Sequence, residues 1–372
     1  MRVALVAPPW FEVPPRAYGG IEAVVAELAE ALVARGHDVT VIGAGVGGTS
    51  ARHLRTYPEP QGARLGEPIP DLVHAARVAR LLDTLDVDVV HDHSAAGPLL
   101  ARGRSVPTLL TAHGPVVGEM ADYYRALGDT VSLVAISAAQ RRSAAKLPWL
   151  ATVPNGVRVA SFPFRRDKDD YALFLGRFSP EKGAHLAVQA ARAVGLPLIL
   201  AGKRNERPER EYFEREVRPL LGADTVMYGE ADAAAKRELL AGASCLLFPI
   251  CWEEPFGMVM IEAMACGTPV VALRRGSVPE VVVHGETGIL CDTPAELPAA
   301  ILAAGTIDPG RCRQHAAAHF DTGTMARRYE AAYRAALDRS SALPSVLAGL
   351  REARLDERRA PAKLELVRKG YG

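Results

Sequence analysis

The segment WEEPFGMVMIEAMACGTPVVALRRGSVPE, residues 252–280, organises the reading of the whole chain. Before it, CLLFPIC (245–251) is an apolar run of strand length. Pro255 and Gly257 interrupt any helix there, MVMIEAMA then follows, and Gly267 with Pro269 stops it. PVVAL reads as the next buried strand. The short helix is almost wholly apolar, so Glu262 is its exception, and a carboxylate in that setting needs a partner because burying an unpaired charge is costly. Glu254 lies in the loop that feeds the helix. If the helix end faces a cleft, the free N–H groups of Gly257, Met258 and Val259 point there as well. Two carboxylates and an anion-favouring helix end around one volume suit a ligand with hydroxyls beside a phosphate, as in a nucleotide sugar.

Taken singly, Glu254 is a solvated loop acid and Glu262 a helix-face charge, the ordinary situation for glutamates. Together, E-P-F-G-x-x-x-x-E-A-M-A-x-G-x-P-V-V resembles the donor-site signature of family 4 glycosyltransferases, the glycosyl transferases group 1. The resemblance implies a retaining enzyme of the GT-B fold. That fold has two Rossmann-like, doubly wound parallel-sheet α/β domains facing a central cleft, with a C-terminal helix crossing back to the first domain. It also implies that Glu254, Phe256, Gly257, Met258, Val259 and Glu262 line the donor, with Glu254 holding sugar hydroxyls and Glu262 the ribose.

Composition agrees with such an enzyme. A chain of 372 residues holds two domains of ordinary size, and a net charge of +1 gives no global case for nucleic-acid binding. Five cysteines, an odd number without C-x-x-C spacing, read as free thiols in a reducing compartment. MRVALVAPPW has too short an apolar run for a signal peptide, and no run approaches membrane-spanning length. A cytoplasmic protein without stable membrane insertion, monomeric or homodimeric, is expected.

In chain order, RVALVAP (2–8) is a strand apolar on both faces, followed by a proline-rich loop and the helix IEAVVAELAEALVARG. HDVTVIGAG is a second strand. An irregular stretch runs to about Pro70, a helix covers 72–85, and VDVVHDH, TLLTAHG, SLVAISAA and ATVPNGV complete a first α/β series. SFPFRRDKDD breaks the pattern, placing a linker near 158–169. A second series starts at YALFLGRFSPEKG and runs to about residue 288. The expected organisation is an acceptor domain over 1–160, a donor domain over 161–320, a crossover helix over 321–338 and a charged, partly helical tail over 339–372. No function attaches to that tail.

Further residues follow from the resemblance. Gly19 and Gly20 precede a helix and match the first-domain glycine loop that touches the donor diphosphate, with Tyr18 before them on the acceptor side. Arg177 and Lys182, in GRFSPEKG, match G-R-x-x-x-x-K-G. Two cations there neutralise a departing diphosphate, although as a bare pair they read equally as solvated loop cations, with Lys182 beside Glu181. His113 aligns with a cleft histidine beside the transferred sugar and is expected to be catalytic through substrate positioning and electrostatic support, together with Arg177, Lys182 and Glu254. Gly202, Met227 and Tyr228 are expected to wall the nucleotide base, and His93 to line the acceptor pocket. Arg158 stands where the family has Asp after Asn155-Gly156.

Three patterns are decoys. Asp86-Val87-Asp88 spells a metal–diphosphate motif of another fold but begins a strand, away from the cleft. His91-Asp92-His93 cannot converge on a metal, since adjacent strand residues face opposite ways. The glycines from Gly43 to Gly48 mimic a dinucleotide fingerprint without a following helix.

The expected reaction is metal-independent transfer of a hexose or related sugar from a nucleotide-diphosphate sugar, UDP- or GDP-linked, to a hydroxyl of a small-molecule, saccharide or natural-product acceptor. No cofactor beyond that co-substrate is expected. The loops near 10–18, 43–70, 92–98 and 113–124 would select the acceptor. A sugar-nucleotide epimerase of the same fold and a non-catalytic nucleotide-sugar-binding protein are the alternatives.

Overall fold

A computed structural model describes residues 1–16 and 19–359, with side chains through residue 340. The first domain is a seven-stranded sheet in the order β3-β2-β1-β4-β5-β6-β7. Its strands are β1 (Arg2–Val6), β2 (Asp38–Ala44), β3 (Arg52–Tyr57), β4 (Val89–Asp92), β5 (Thr108–Ala112), β6 (Ser132–Ala135) and β7 (Trp149–Thr152). Helices α1 (Gly20–Ala34), α2 (Pro68–Leu82), α3 (Glu119–Leu127) and α4 (Ala138–Ser143) connect them. The second sheet has the order β10-β9-β8-β11-β12-β13, from β8 (Ala172–Leu175), β9 (Leu198–Ala201), β10 (Thr225–Gly229), β11 (Cys245–Phe248), β12 (Val270–Leu273) and β13 (Gly288–Cys291). Its helices are α5 (Ala184–Ala193), α6 (Arg207–Tyr212), α7 (Ala233–Gly242), α8 (Met258–Ala265), α9 (Val278–Val281), α10 (Leu297–Ala304) and α11 (Pro309–Phe320), and α12 (Thr322–Arg359) follows them in the chain. All recorded pairings are parallel. This is the GT-B architecture.

The apolar strand runs explain this layout. Val3, Leu5, Val41, Val89, Leu109 and Val134 are buried with Val24, Val25, Leu28 and Leu32 of α1. A parallel sheet covered by helices on both faces needs strands apolar on both faces, which RVALV and DVTVIGA supply. Two expectations need correcting. The stretch read as irregular up to Pro70 contains β3, an edge strand whose RHLRTY buries only Thr56. Its charged residues face solvent along the sheet edge, so it lacks the apolar signature used elsewhere. Helix α2 also begins at Pro68, not at Leu72, because Pro68 and Pro70 are accommodated in its first turn.

Asp86 and Asp88 hold the guanidinium of Arg2 at the start of the sheet, with Arg2 Nη2 2.6 Å from Asp88 Oδ1. That pair is structural. Of the five cysteines, all free, four are buried and Cys251 is exposed.

The chain crosses between domains twice, side by side. The N–H of Val157 donates to Phe320 O (2.9 Å), and that of Thr322 donates back to Val157 O (3.2 Å). Helix α12 then lies on the first domain, where Met325, Tyr329 and Tyr333 join its core. Glu330 fixes it there, accepting from Arg35 Nε (2.5 Å) and Arg35 Nη2 (2.9 Å) and pairing with His37 Nε2 (2.8 Å). Hydrogen bonding to Arg35 holds the Glu330 carboxyl down at about 2, against an ordinary value of 4.5. A depressed carboxylate pKa adds stability that is complete above pH 4.5 and lost as pH falls toward 2. Glu330→Gln is therefore expected to destabilise the protein by about 1–2 kcal/mol at pH 7, given solvent screening at Arg35. In urea denaturation the difference from wild type should shrink below pH 4.5.

Candidate active site

The carboxyl ends of the second-domain strands are stitched into one floor. Gly176 N donates to Ala201 O (3.1 Å), Gly202 N to Gly229 O (2.7 Å) and Phe178 N to Lys203 O (3.2 Å). A Cβ at Gly202 would lie 1.8 Å from Gly176 O, so only glycine allows the loops after β8 and β9 to touch. Gly183 adopts a left-handed conformation (φ +70°), and its Cα packs so near Pro249 O that a Cβ would meet it at 2.1 Å. Cys251 N also donates to Glu181 O (2.8 Å). These contacts dock the turn carrying Lys182 against the loop carrying Glu254.

The consequence is an ion pair between residues far apart in sequence. Lys182 Nζ lies 2.6 Å from Glu254 Oε2, which also accepts from Trp252 Nε1 at 2.9 Å, and Glu254 is buried. The pairing with Glu181 suggested by adjacency is not made by Lys182. Arg177 makes it instead, at 3.2 Å, and lies 3.9 Å from Glu209. Glu209 is buried and keeps Oε1 without a hydrogen-bond donor. Both cations are thus paired with carboxylates, Lys182 with Glu254 and Arg177 with Glu181.

Glu262 finds its partner in Lys236 of α7, at 2.6 Å. Sequence reading missed Lys236, since a lysine in AAAKRELLAG looks like an ordinary solvated helix residue. The signal available was the demand itself: a glutamate in an apolar helix requires a cation nearby. At the head of α8, Gly257 caps the helix with φ +78°, and a Cβ there would strike Met260 at 2.7 Å. Phe256 is buried, with its ring 5.9 Å from that of Phe320, so its side chain packs the domain core. Met258 and Val259 are half-buried, and Met258 packs against the cores of both domains. The amino end of α8 therefore lies at the domain boundary. Met227 is half-buried, and Tyr228 is exposed on the edge strand β10.

The first domain carries histidines just past the ends of β4 and β5. His93 Nδ1 and His113 Nε2 are 2.8 Å apart with stacked rings. His91 lies behind, bonded to Tyr333 Oη (2.9 Å) and Thr111 Oγ1 (2.7 Å). Asp92 points the other way and accepts from Ser94, as strand alternation requires. Burial disfavours the charged imidazole and lowers His113 to about 4 and His91 to about 3, so the cluster is neutral at pH 7. The His93–His113 bond uses Nδ1 of His93 and Nε2 of His113. Gln140 donates to Ala112 O and Gly114 O, each at 2.8 Å, bracketing His113. A glutamine in the first turn of a short helix gives no sequence signal for that role.

Gly19 has φ +151° and sits so close to Pro15 that a Cβ would approach it to 2.7 Å, whereas Gly20 opens α1 with free space around it. Tyr18 lies outside the described residues. Two positions later Glu22 is buried with Oε1 unpartnered, and burial pushes its carboxyl up to about 7. Arg158 reaches Glu27 of α1 at 3.6 Å, a contact of the linker with the first domain.

Residues 18–170 match the family described as Glycosyltransferase Family 4, and residues 160–308 match Glycosyl transferases group 1. The chain belongs to the group 1, family 4 glycosyltransferases. This glycosyltransferase is 28% identical over 331 residues to a phosphatidyl-myo-inositol mannosyltransferase of Mycolicibacterium smegmatis, covering 78% of this chain and 80% of that one. It is 29% identical to a glycogen synthase of Mycobacterium tuberculosis, covering 90% and 95%. Among solved structures it resembles AviGT4, a glycosyltransferase involved in avilamycin A biosynthesis, with a TM-score of 0.71 and 28% identity over 91% of this chain and 98% of that one. The glycosyltransferase is thus an enzyme that transfers sugar. Among its described residues, no helix is long and apolar enough to cross a membrane.

Proposed function

We propose that this glycosyltransferase moves a hexose or related sugar, with retention of configuration, from a UDP- or GDP-linked donor to a hydroxyl of a small saccharide or natural-product acceptor. The observation that carries the reading is the Lys182–Glu254 pair beside the head of α8, with Arg177 on the adjoining loop. The lysine and the arginine take the diphosphate, and the carboxylate released from Lys182 takes sugar hydroxyls. In the transfer the bond from the anomeric carbon to the phosphate oxygen breaks, and a bond to the acceptor oxygen forms on the same face. The acceptor proton passes to a donor phosphate oxygen. The described neutral histidines near the cleft are held well below the pH range of a general base, which favours this route. His113 offers a lone pair or N–H to the sugar while positive charge develops on its ring, and His93 and the 93–97 loop border the acceptor.

The cations supply the charge that a metal would otherwise bring, so activity is expected to persist in EDTA. The similarity to a natural-product enzyme supports a small acceptor. Glu262, paired with Lys236, takes the ribose hydroxyls. Glu262→Gln should raise the KM for donor about tenfold with little change in kcat, as loss of a hydrogen bond made equally in ground and transition states requires. Steady-state kinetics in donor checks this.

The test of the function is consumption of UDP-, GDP-, ADP- and dTDP-hexoses in EDTA with a mixture of saccharide and other hydroxylated small-molecule acceptors. Turnover of one donor class, and a product whose anomeric proton coupling matches the donor's, is expected. Absence of turnover with every donor, or an inverted product, overturns the proposal.

A further inference from the structure

We infer that Glu280 is a positioning residue that holds the donor side of the active site in register with the His113 side. Its carboxylate crosses the domain boundary. Oε2 accepts from Ala138 N at 2.7 Å, Oε1 accepts from Ala139 N at 2.6 Å, and Oε1 lies 3.1 Å from Arg142 Nη2. Glu280 belongs to α9 of the second domain, whereas its three partners sit in the first two turns of α4 in the first domain.

Each end of this clasp is tied to catalytic machinery. On the donor side, Ser277 N donates to Glu254 O (2.9 Å), Ser277 Oγ donates to Phe256 O (2.9 Å) and Gly276 N to Glu253 Oε2 (2.8 Å). Gly276 lies against the backbone of Glu254, where a Cβ would approach Glu254 N to 2.4 Å. The α9 turn and the Glu254 loop therefore move as one piece. On the other side, α4 carries Gln140, whose Nε2 grips Ala112 O and Gly114 O on either side of His113. Gln140 Oε1 also accepts from Ile136 N at 2.8 Å. A run of hydrogen bonds thus links the main chain of Glu254 to the carbonyls on either side of His113 through Ser277 and Glu280, with α4 as the middle piece.

The physics suits a registering contact. Charge-assisted bonds to two successive free N–H groups at a helix start fix direction as well as distance. Glu280 keeps 29% side-chain exposure, so water competes when the domains part. The clasp is strong enough to bias closure and weak enough to open, as an enzyme that must release products requires. Substrate on the first domain and donor on the second react only when their loops are aligned, and misplacement by about 1 Å can cost roughly a hundredfold.

This inference rests on the reading that transfer takes place in the cleft, and the experiment separates the two. Spin labels placed at exposed positions in each domain report the interdomain distance in wild type, Glu280→Ala and Glu280→Gln, alongside calorimetric binding of UDP and GDP and donor turnover. Expected results are a broadened, longer distance distribution in Glu280→Ala, unchanged nucleotide affinity, and kcat lowered roughly ten- to a hundredfold. Glu280→Gln, which retains one acceptor oxygen, should recover part of both the distance and the rate. A distance distribution identical in wild type and Glu280→Ala overturns the inference, as does a loss of nucleotide affinity equal to the loss of kcat. The label distances decide on the clasp even if wild type consumes no donor, a result that would count against the function alone.

Discussion

Lys182→Met is expected to lower kcat by about 10²–10³, the cost of removing one charge-stabilising group from a transition state that develops negative charge on the departing phosphate. The substitution also strips Glu254 of its cation. Glu254 is only 8% exposed, so the variant should lose stability as well, since breaking a buried pair from one side strands the other charge. The two effects can be separated. In Lys182→Met/Glu254→Gln the stranded charge is gone, so thermal stability should return close to wild type while turnover stays low. Steady-state kinetics and thermal denaturation of the three proteins check this. A double variant that recovered turnover would mean that Lys182 serves only to balance Glu254.

His113→Ala should lower kcat by about a hundredfold and leave nucleoside diphosphate affinity nearly unchanged, because the imidazole lies on the first domain whereas Arg177 and Lys182, proposed to hold the diphosphate, lie on the second. The pH profile adds a sign. Burial depresses the pKa of His113 to about 4, so its ring stays neutral until pH falls toward that value. Protonation of His113 therefore contributes no inflection to kcat/KM between pH 5 and 8. An inflection near 6.5 in wild type that vanished in His113→Ala would show a ring that titrates normally and would contradict its burial as the source of neutrality.

Much of this architecture is legible in the sequence because parallel sheets advertise themselves. Runs such as RVALV, LLTA and CLLF are apolar on both faces and alternate with helical patterns, and the 252–280 segment adds fixed spacing between Glu254 and Glu262. What escaped was the structure whose cause lies outside its own segment. Strand β3 forms at an edge, where RHLRTY needs only β2 as a partner and shows little apolar periodicity. Lys236, Gln140 and Glu280 have ordinary local contexts, and each acquires its role from a residue in another element: Glu262, the carbonyls beside His113, and the amides of α4. Lys182 does not pair with adjacent Glu181 for the same reason. Gly183 turns the chain against Pro249, and Lys182 meets Glu254 across the fold.

The proposed function requires Arg177 and Lys182 to form a nucleoside-diphosphate site without a metal. Calorimetric titration of UDP, GDP, ADP and dTDP in EDTA, into wild type and Arg177→Ala, tests it most directly. One diphosphate should bind wild type tightly and bind Arg177→Ala at least tenfold more weakly, as loss of a charge-assisted phosphate contact predicts. Equal affinity in the two proteins, or binding only after a divalent ion is restored, would contradict it.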